Sequence, residues 1–239
     1  MSRRRWIEAV AVAAVLGGAA SAADAQAGKA APTAKPAARD WTRVVAVTPE
    51  GGFRMGNPNA AVKVVEYGSM TCPGCAAFSA SAKAALPAQV RTGKVSFEFR
   101  NMVLNVVDLT ASMLARCSGP ANFFPFTDRL FATQPQWAGK IGAMTQAQRE
   151  QLQALSPHQQ LSRIGEVTGL TQMAAQAGLP SAKAAACLAD KAGLDRIVQM
   201  RQAAQTLGVA GTPTFLVNGA KVHAHDWAEL QAEIRKAGG

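Results

Sequence analysis

The order strand, tight turn, cysteine pair, helix restricts the folds open to this chain more than any other feature. The β-branched run Val62–Tyr67 is bounded by turn residues and predicts a buried strand. A C-P-G-C motif, Cys72 to Cys75, follows it, and Ala76–Val90 is rich in helix formers. The alternating run Val95–Arg100 predicts a second strand, which completes a βαβ unit. An α/β fold is therefore expected.

The two thiols of this motif lie on one face of the predicted helix, close enough to form a small disulfide ring. Backbone N–H groups and the helix dipole favour a negative charge on Cys72, so we expect its pKa to be lowered. Such a thiolate exchanges with a protein thiol or disulfide through a mixed disulfide that Cys75 resolves. The same spacing also suits half of a zinc site, which needs two further ligands. The scattered candidates for those are Cys117, Cys187, His158, His223 and His225.

From Val106 to Leu207 the pattern is helical almost without strand signals, with glycine and proline breaks between the helices. We interpret most of this stretch as a helical insertion in the α/β framework. A short strand is expected near the start of the α/β framework, over Trp41–Val47. The helices expected in the insertion cover Ala111–Cys117, Pro125–Thr133, Ser156–Thr168, Ser181–Lys191 and Leu194–Leu207.

The chain returns to strand signals after the helices. Thr214–Val217 and Lys221–His223 flank Asn218-Gly219, which predicts a hairpin, and a helix over Asp226–Lys236 ends the chain. Pro213 opens the first of these strands, where a trans proline is allowed by sheet rules. Beside a cysteine pair, a cis proline becomes the expected form.

The first 25 residues have the order of an export signal, with three arginines, an apolar stretch and small residues. The apolar stretch is shorter than the roughly 20 residues that cross a bilayer as a helix, although an uncleaved anchor stays an alternative. Residues 26–40 are Ala/Pro/Lys-rich and predict a flexible linker. The folded part is therefore expected outside the cytoplasm, by the general or the twin-arginine export route.

The positive charge of the chain does not point to nucleic acid. Lys and Arg number 25 against 15 Asp and Glu, for a formal charge of +10, but the basic residues after position 5 are scattered singly. A solvated basic surface explains this distribution. With 49% hydrophobic residues, the chain can also bury a sizeable core, which excludes wholesale disorder.

The joint occurrence of these motifs resembles the DsbA-like branch of the thioredoxin superfamily. The resemblance covers roughly residues 62–236 and rests on the strand leading to C-P-G-C, the segment Gly211–Phe215 and the run Ala115–Cys117 in the insertion. It implies a thioredoxin fold with an inserted helical domain, and an exported thiol-disulfide oxidoreductase. The implied boundaries are an export signal at 1–25, a linker at 26–40, a thioredoxin-like domain at 41–105 and 195–239, and the inserted helices at 106–194.

The resemblance also implies a role for each matching residue. Cys72 becomes the nucleophile, Cys75 the resolving thiol and Pro213 the cis proline beside them. Glu66, six residues before Cys72, matches the buried acid of the family, a proton acceptor for Cys75, although an exposed carboxylate at a strand end is the alternative. Thr212 would pair its backbone with an extended substrate chain.

Two positions depart from the best-known oxidase of this branch. Gly74 stands where that oxidase has a histidine, so one cationic contribution to the Cys72 thiolate is absent and the potential is expected to be milder. Thr212 before the proline resembles the isomerase branch and some monomeric oxidases. Against an isomerase, the segment from Gln26 to about Arg43 is too short for the dimerisation domain that family isomerases carry.

Cys117 and Cys187 both fall in the predicted insertion. In an oxidising compartment two leftover cysteines are more often bonded than free, so we expect a structural disulfide between them. Buried free thiols and a second redox pair stay as alternatives.

The sequence as a whole predicts a periplasmic, monomeric protein thiol-disulfide oxidoreductase of the dithiol oxidase type, without a cofactor, a bound metal or a nucleic-acid partner. Its expected partners are unfolded or reduced exported proteins and a membrane redox partner that resets the cysteine pair. An isomerase or reductase of the same superfamily is the first alternative, and a metal-binding module is the second.

Overall fold

The computed structural model describes residues 39–239. The expected export signal at 1–25 and all but the last two residues of the expected linker at 26–40 lie outside this range. The described part begins with a short 3-10 helix, Trp41–Arg43, which Asp40 caps by accepting from the backbone N–H of Thr42. The strand expected over Trp41–Val47 is therefore shorter than predicted, and only its last three residues are extended.

Six strands form one mixed sheet. In chain order they are β1 (Val45–Val47), β2 (Phe53–Gly56), β3 (Val62–Gly68), β4 (Val95–Asn101), β5 (Thr214–Val217) and β6 (Ala220–Val222). Their order across the sheet is β1-β2-β4-β3-β5-β6. β3 and β4 are parallel, as the βαβ unit predicts, and the other neighbours are antiparallel. β2 was not predicted, because it has only four residues and lies between glycine and proline turn signals.

The helix expected over Ala76–Val90 is two helices, α1 (Pro73–Ala82) and α2 (Ala85–Arg91). Pro87 explains the break, since it has no N–H to donate to the carbonyl of Lys83 one turn earlier. The prediction of one continuous helix was wrong at this point. The start of α1 at Pro73 leaves Cys72 as its N-cap residue.

The segment between β4 and β5 is helical, as predicted. It contains α3 (Val106–Cys117), α4 (Pro120–Ala132), α5 (Gln134–Trp137), α6 (Gln146–Gln153), α7 (Pro157–Thr168), α8 (Leu170–Gln176), α9 (Ser181–Leu188) and α10 (Lys191–Thr206). α5, α6 and α8 were not predicted, and α3 and α4 begin earlier than expected. Asn105 caps α3 by accepting from the backbone N–H of Asp108, and Pro120 occupies the first position of α4, which suits a proline.

The hairpin at the end of the chain is confirmed. Asn218 and Gly219 both have positive φ, 50° and 86°, the conformation of a tight two-residue turn. The Asn218 side chain also accepts from the backbone N–H of Lys63 at 2.8 Å, which ties the turn to the start of β3. The last helix, α11 (Trp227–Lys236), follows with Asp226 as its N-cap.

Phenylalanine rings join the inserted helices to the sheet. The ring of Phe123 in α4 stacks on Phe53 of β2 with centroids 3.9 Å apart and contacts Phe99 of β4 at 6.0 Å. All three rings are buried. The insertion therefore shares a core with the sheet, and the predicted α/β architecture with inserted helices is confirmed.

Candidate active site

The cysteine pair lies where β3 passes into α1. Cys72 is 9% exposed, whereas Cys75, one turn into the helix, is fully buried. Both are free thiols in this structure. Only Cys72 is accessible to a partner in solution.

A loop from the other end of the chain closes over the accessible sulfur. The Thr212–Pro213 peptide bond is cis, and Cys72 Sγ lies 3.1 Å from the carbonyl oxygen of Thr212, to which the sulfur donates only while it is protonated. Gly74 lies beside this loop, where a Cβ would be only 3.2 Å from Pro213 Cδ, so the glycine leaves the contact between α1 and the loop uncrowded. The structure thus brings together Cys72, Cys75, Thr212 and Pro213, four of the site residues expected from the sequence.

The surroundings of Cys72 lower its pKa from an ordinary value of 9.0 to about 5. The largest cause is the hydrogen bond from the Cys75 thiol, and partial burial opposes it. The backbone N–H groups of Cys75 and Gly74 add to the stabilisation of the thiolate. Sequence reasoning found the contribution of the helix N-terminus but not that of the second thiol.

Cys75 has the opposite character. Its hydrogen bond to Cys72 raises its pKa far above the ordinary range of a thiol, and burial and the nearby charge of Glu66 act in the same direction. The pair therefore holds one proton, on the inner sulfur, and one negative charge, on the outer sulfur. This asymmetry is what disulfide exchange with an external thiol requires.

Glu66 lies behind the pair on β3 and is 3% exposed. Burial raises its pKa to about 8, the charge of Cys72 adds to the shift, and a hydrogen bond with Cys75 partly offsets it. Its Oε1 atom has no hydrogen-bond partner among residues 39–239. The exposed alternative is therefore wrong, and Glu66 can exchange a proton with Cys75 near neutral pH.

The Glu66 side chain also lines a cavity of about 540 Å³ between the sheet, α1, α2 and α4. Its walls are largely apolar and include five phenylalanine side chains, and Thr127 Oγ1 in the wall is buried with no partner in the described part of the chain. Lys83, Asp128 and Arg43 stand at its exposed rim. Partial loss of solvent around the Asp128 carboxyl in this concave rim raises its pKa, and the charge of Lys83 partly offsets the rise.

A second buried acid, which sequence reasoning missed, fixes the loop before Cys72. Asp108 at the start of α3 accepts from Ser69 Oγ at 2.5 Å and from the backbone N–H groups of Met70 and Leu104, both at 2.9 Å. Burial raises its pKa to about 6, and these hydrogen bonds offset part of the rise. A lone acid among the apolar residues that begin a helix was the available signal.

Gln134 of α5 was also missed. Its side chain is buried, and its Nε2 atom donates to the carbonyl oxygens of Met70, at 2.9 Å, and Cys72, at 3.0 Å. Nothing in the sequence around a glutamine in a four-residue helix indicates such a contact. Two inserted helices therefore hold the backbone that leads to the nucleophile.

Cys117 and Cys187 form a disulfide in the structure, with their Cα atoms 6.2 Å apart. The bond joins the end of α3 to α9, so it lies within the inserted helices and apart from the site. Residues 39–239 contain no group of three or more His, Cys, Asp or Glu side chains placed to hold a metal ion.

Comparisons with known proteins agree with this geometry. The family model described as thioredoxin matches residues 48–236. Proteins of Rickettsia bellii and Rickettsia prowazekii, provisionally named as protein-disulfide oxidoreductases, are 28% identical over 190 and 199 residues, which is 79% and 82% of this chain. The match covers 65% of the length of each of these curated relatives.

Solved structures show the same architecture. The protein-disulfide isomerase from Novosphingobium aromaticivorans is 28% identical, with a TM-score of 0.72 over 78% of this chain and 97% of that one. Wolbachia pipientis alpha-DsbA1, at 23% identity, shares the fold with a TM-score of 0.61 over 77% of this chain and 89% of its own. The chain is therefore a member of the thioredoxin family with a DsbA-like fold.

Proposed function

We propose that this protein is a thiol-disulfide oxidoreductase that exchanges disulfides with other proteins through Cys72 and Cys75. The observation that carries the proposal is the opposite pKa shift of the two sulfurs, lowered to about 5 on the accessible Cys72 and raised on the buried Cys75. A structural thiol pair has no need of this asymmetry. A thiolate with a lowered pKa is both a ready nucleophile and a good leaving group.

The proposed direction is oxidation of the substrate. A substrate thiolate attacks Cys72 of the Cys72–Cys75 disulfide, the bond between the two cysteines breaks, and Cys75 leaves and takes a proton from Glu66. A second substrate thiolate then attacks the substrate sulfur of the mixed disulfide, and Cys72 leaves as a thiolate. The substrate gains one disulfide, and the protein keeps two electrons as a reduced pair.

The loop at Pro213 provides the place for the substrate backbone. It stands directly against Cys72, and Thr212 offers an N–H and a C=O group for pairing with an extended chain, as in strand addition. Backbone pairing does not depend on the substrate side chains. This suits a protein that acts on many unfolded or reduced partners.

We further propose that the protein works in the periplasm as a monomer, after export by residues 1–25. The residue order of that segment supports export, and the disulfide between Cys117 and Cys187 suits an oxidising compartment. No helix within residues 39–239 has the length and apolarity to span a membrane. Its substrates are then reduced exported proteins, and a membrane redox partner re-oxidises the pair.

One observation favours a second candidate, a disulfide isomerase or reductase. The Novosphingobium aromaticivorans protein with the same fold is named a protein-disulfide isomerase. In that direction the Cys72 thiolate attacks a substrate disulfide, and Cys75 loses its proton to Glu66 as it resolves the intermediate. The same residues serve both directions, so the redox equilibrium decides between them.

Two assays separate these candidates. An oxidase introduces disulfides into a reduced, unfolded substrate in stoichiometric amounts, whereas an isomerase rescues a scrambled substrate and oxidises slowly. Cys72→Ser should abolish both activities, and Cys75→Ser should accumulate mixed disulfides. Equal loss in both variants without trapped intermediates would contradict the assigned roles, and stoichiometric zinc or copper in the reduced protein would favour a metal-binding module.

A further inference from the structure

The loop that leads to the nucleophile is held by residues at the start of the inserted helices, around the beginning of α3. Ser69, Met70 and Thr71 connect β3 to Cys72. Asp108 binds the first two of these residues, and Asn105 Nδ2 donates to Thr71 Oγ1 at 3.0 Å. All of these contacts reach the loop before the cysteine, on its approach from β3.

Gln134 differs from Asp108 and Asn105 because it contacts the backbone of Cys72 itself. Its Nε2 atom donates to the carbonyl oxygen of Cys72 and to that of Met70. Two carbonyl oxygens can only be bridged by a donor, so the orientation of the side-chain amide is unambiguous. Both hydrogens of Nε2 are then in use.

The position of Gln134 is itself fixed. The side chain is 5% exposed, and three residues later Trp137, 1% exposed, donates from Nε1 to the carbonyl oxygen of Leu130 at 3.0 Å. This bond pins α5 to the end of α4. The Gln134 side chain is therefore held in place by α4 and α5, independently of the loop that it contacts.

The carbonyl that Gln134 holds belongs to the N-cap residue of α1. The plane of the Cys72–Pro73 peptide sets how the Cys72 sulfur is placed over the N–H groups of Gly74 and Cys75, and these groups help to stabilise the thiolate. The Cys72 carbonyl oxygen also accepts from the backbone N–H of Ala76 at 3.2 Å. Loss of Gln134 would therefore remove one of its two donors and let the Cys72–Pro73 peptide tilt, which moves the sulfur relative to the N–H groups of Gly74 and Cys75. The loss of the bond to Met70 would leave a buried carbonyl oxygen without this partner.

We propose that Gln134 is a positioning residue of the inserted helices that sets the reactivity of Cys72. The inference rests on the proposed function, since it concerns the same thiolate. The inserted helices then hold the backbone of Cys72 in the geometry that favours the thiolate form of its side chain.

The test uses a matched pair of variants in α5. Gln134→Met keeps the size and shape of the side chain but removes both donors, and Gln136→Met makes the same change at an exposed position two residues away. Alkylation of Cys72 by iodoacetamide is followed against pH in the full-length reduced protein. For Gln134→Met we expect about a fivefold to tenfold lower ratio of thiolate to thiol, seen as a midpoint shifted to higher pH. Gln136→Met should keep the midpoint of the unaltered protein.

A second measurement keeps the inference testable if Gln134→Met does not fold. Gln134→Asn retains an amide that is too short to bridge the two carbonyl groups, so its midpoint should shift in the same direction. The equilibrium constant with glutathione should change by the same factor as the thiolate ratio, because both report the stability of one thiolate. A merely structural role would lower the melting temperature without moving either quantity.

The outcomes separate this inference from the proposed function. If Cys72 of the unaltered protein titrates like an ordinary thiol, the proposed function itself fails. If its midpoint is low but neither Gln134 variant moves it, or if Gln136→Met moves it equally, only the positioning role is overturned.

Discussion

The charge on Cys72 should make the stability of the reduced protein depend on pH in a defined direction. Its pKa is lowered from 9.0 to about 5 in the folded protein. Between pH 5 and the ordinary pKa of 9.0, the Cys72 thiol of the unfolded chain holds a proton that the native thiolate lacks. The contribution of Cys72 to the free energy of unfolding therefore rises with pH in this range. It is lost as the pH falls through 5.

The magnitude follows from the difference in pKa. At pH 7 the thiolate contributes about 2.7 kcal/mol, since two pH units separate this pH from the native pKa and each unit is worth about 1.36 kcal/mol. At pH 5 the group is half ionised and about 0.4 kcal/mol remains, so the loss is about 2.3 kcal/mol. The same 2.7 kcal/mol makes the disulfide more oxidising by about 60 mV.

Urea denaturation under reducing conditions measures this effect. The free energy of unfolding is compared at pH 7 and pH 5 for the protein with unaltered Cys72 and for Cys72→Ser, both in a Glu66→Gln background, because the charge of Cys72 contributes to the pKa of Glu66. The remaining titrating groups, which lie away from the pair, then largely cancel. We expect the protein with unaltered Cys72 to lose about 2 kcal/mol more than Cys72→Ser. A difference below about 0.5 kcal/mol, together with an alkylation midpoint near 8.5, would refute the thiolate assignment.

Three further changes test other parts of the structure. Because the native pKa of Glu66 is raised from 4.5 to about 8, its titration lowers the free energy of unfolding by up to about 1.4 kcal/mol per pH unit as the pH rises between these values. Glu66→Gln should abolish this decrease in the same denaturation series. The variant should also exchange more slowly at Cys75. Asp108→Asn should cost about 2–3 kcal/mol in urea unfolding, because one amide cannot accept all the bonds that the carboxylate accepts; an unchanged midpoint would count against its role in the loop. Peptide mapping without reductant should find Cys117 linked to Cys187 even when the active-site pair is reduced, and replacing both by Ala should cost about 4 kcal/mol.

The parts of the site that local patterns carry were predictable. The strand before Cys72, the helix after it and the proline before β5 each leave a signal within a few residues, because hydrophobic periodicity and proline placement are local. The family resemblance that rests on their joint occurrence also implied a buried acid at Glu66.

The parts that depend on contacts distant in sequence were not predictable. Asp108 and Gln134 reach Met70 across 38 and 64 residues, and their side-chain types are common in exposed positions. The break between α1 and α2 is different, since Pro87 was visible in the sequence. It was missed because the surrounding residues favour a helix on both sides of the proline.

The sheet ends on both sides in strands of only three residues, β1 and β6, and Lys221 lies in the second of them. A long, flat outer strand offers a row of free backbone groups to which any extended polypeptide can add, and short or charged margins prevent this. An oxidoreductase that acts on unfolded proteins, as we propose for this chain, gains from such margins. The loop beside Pro213, the proposed place for the substrate backbone, is then favoured over the flanks of the sheet, where added chains would lead to aggregation.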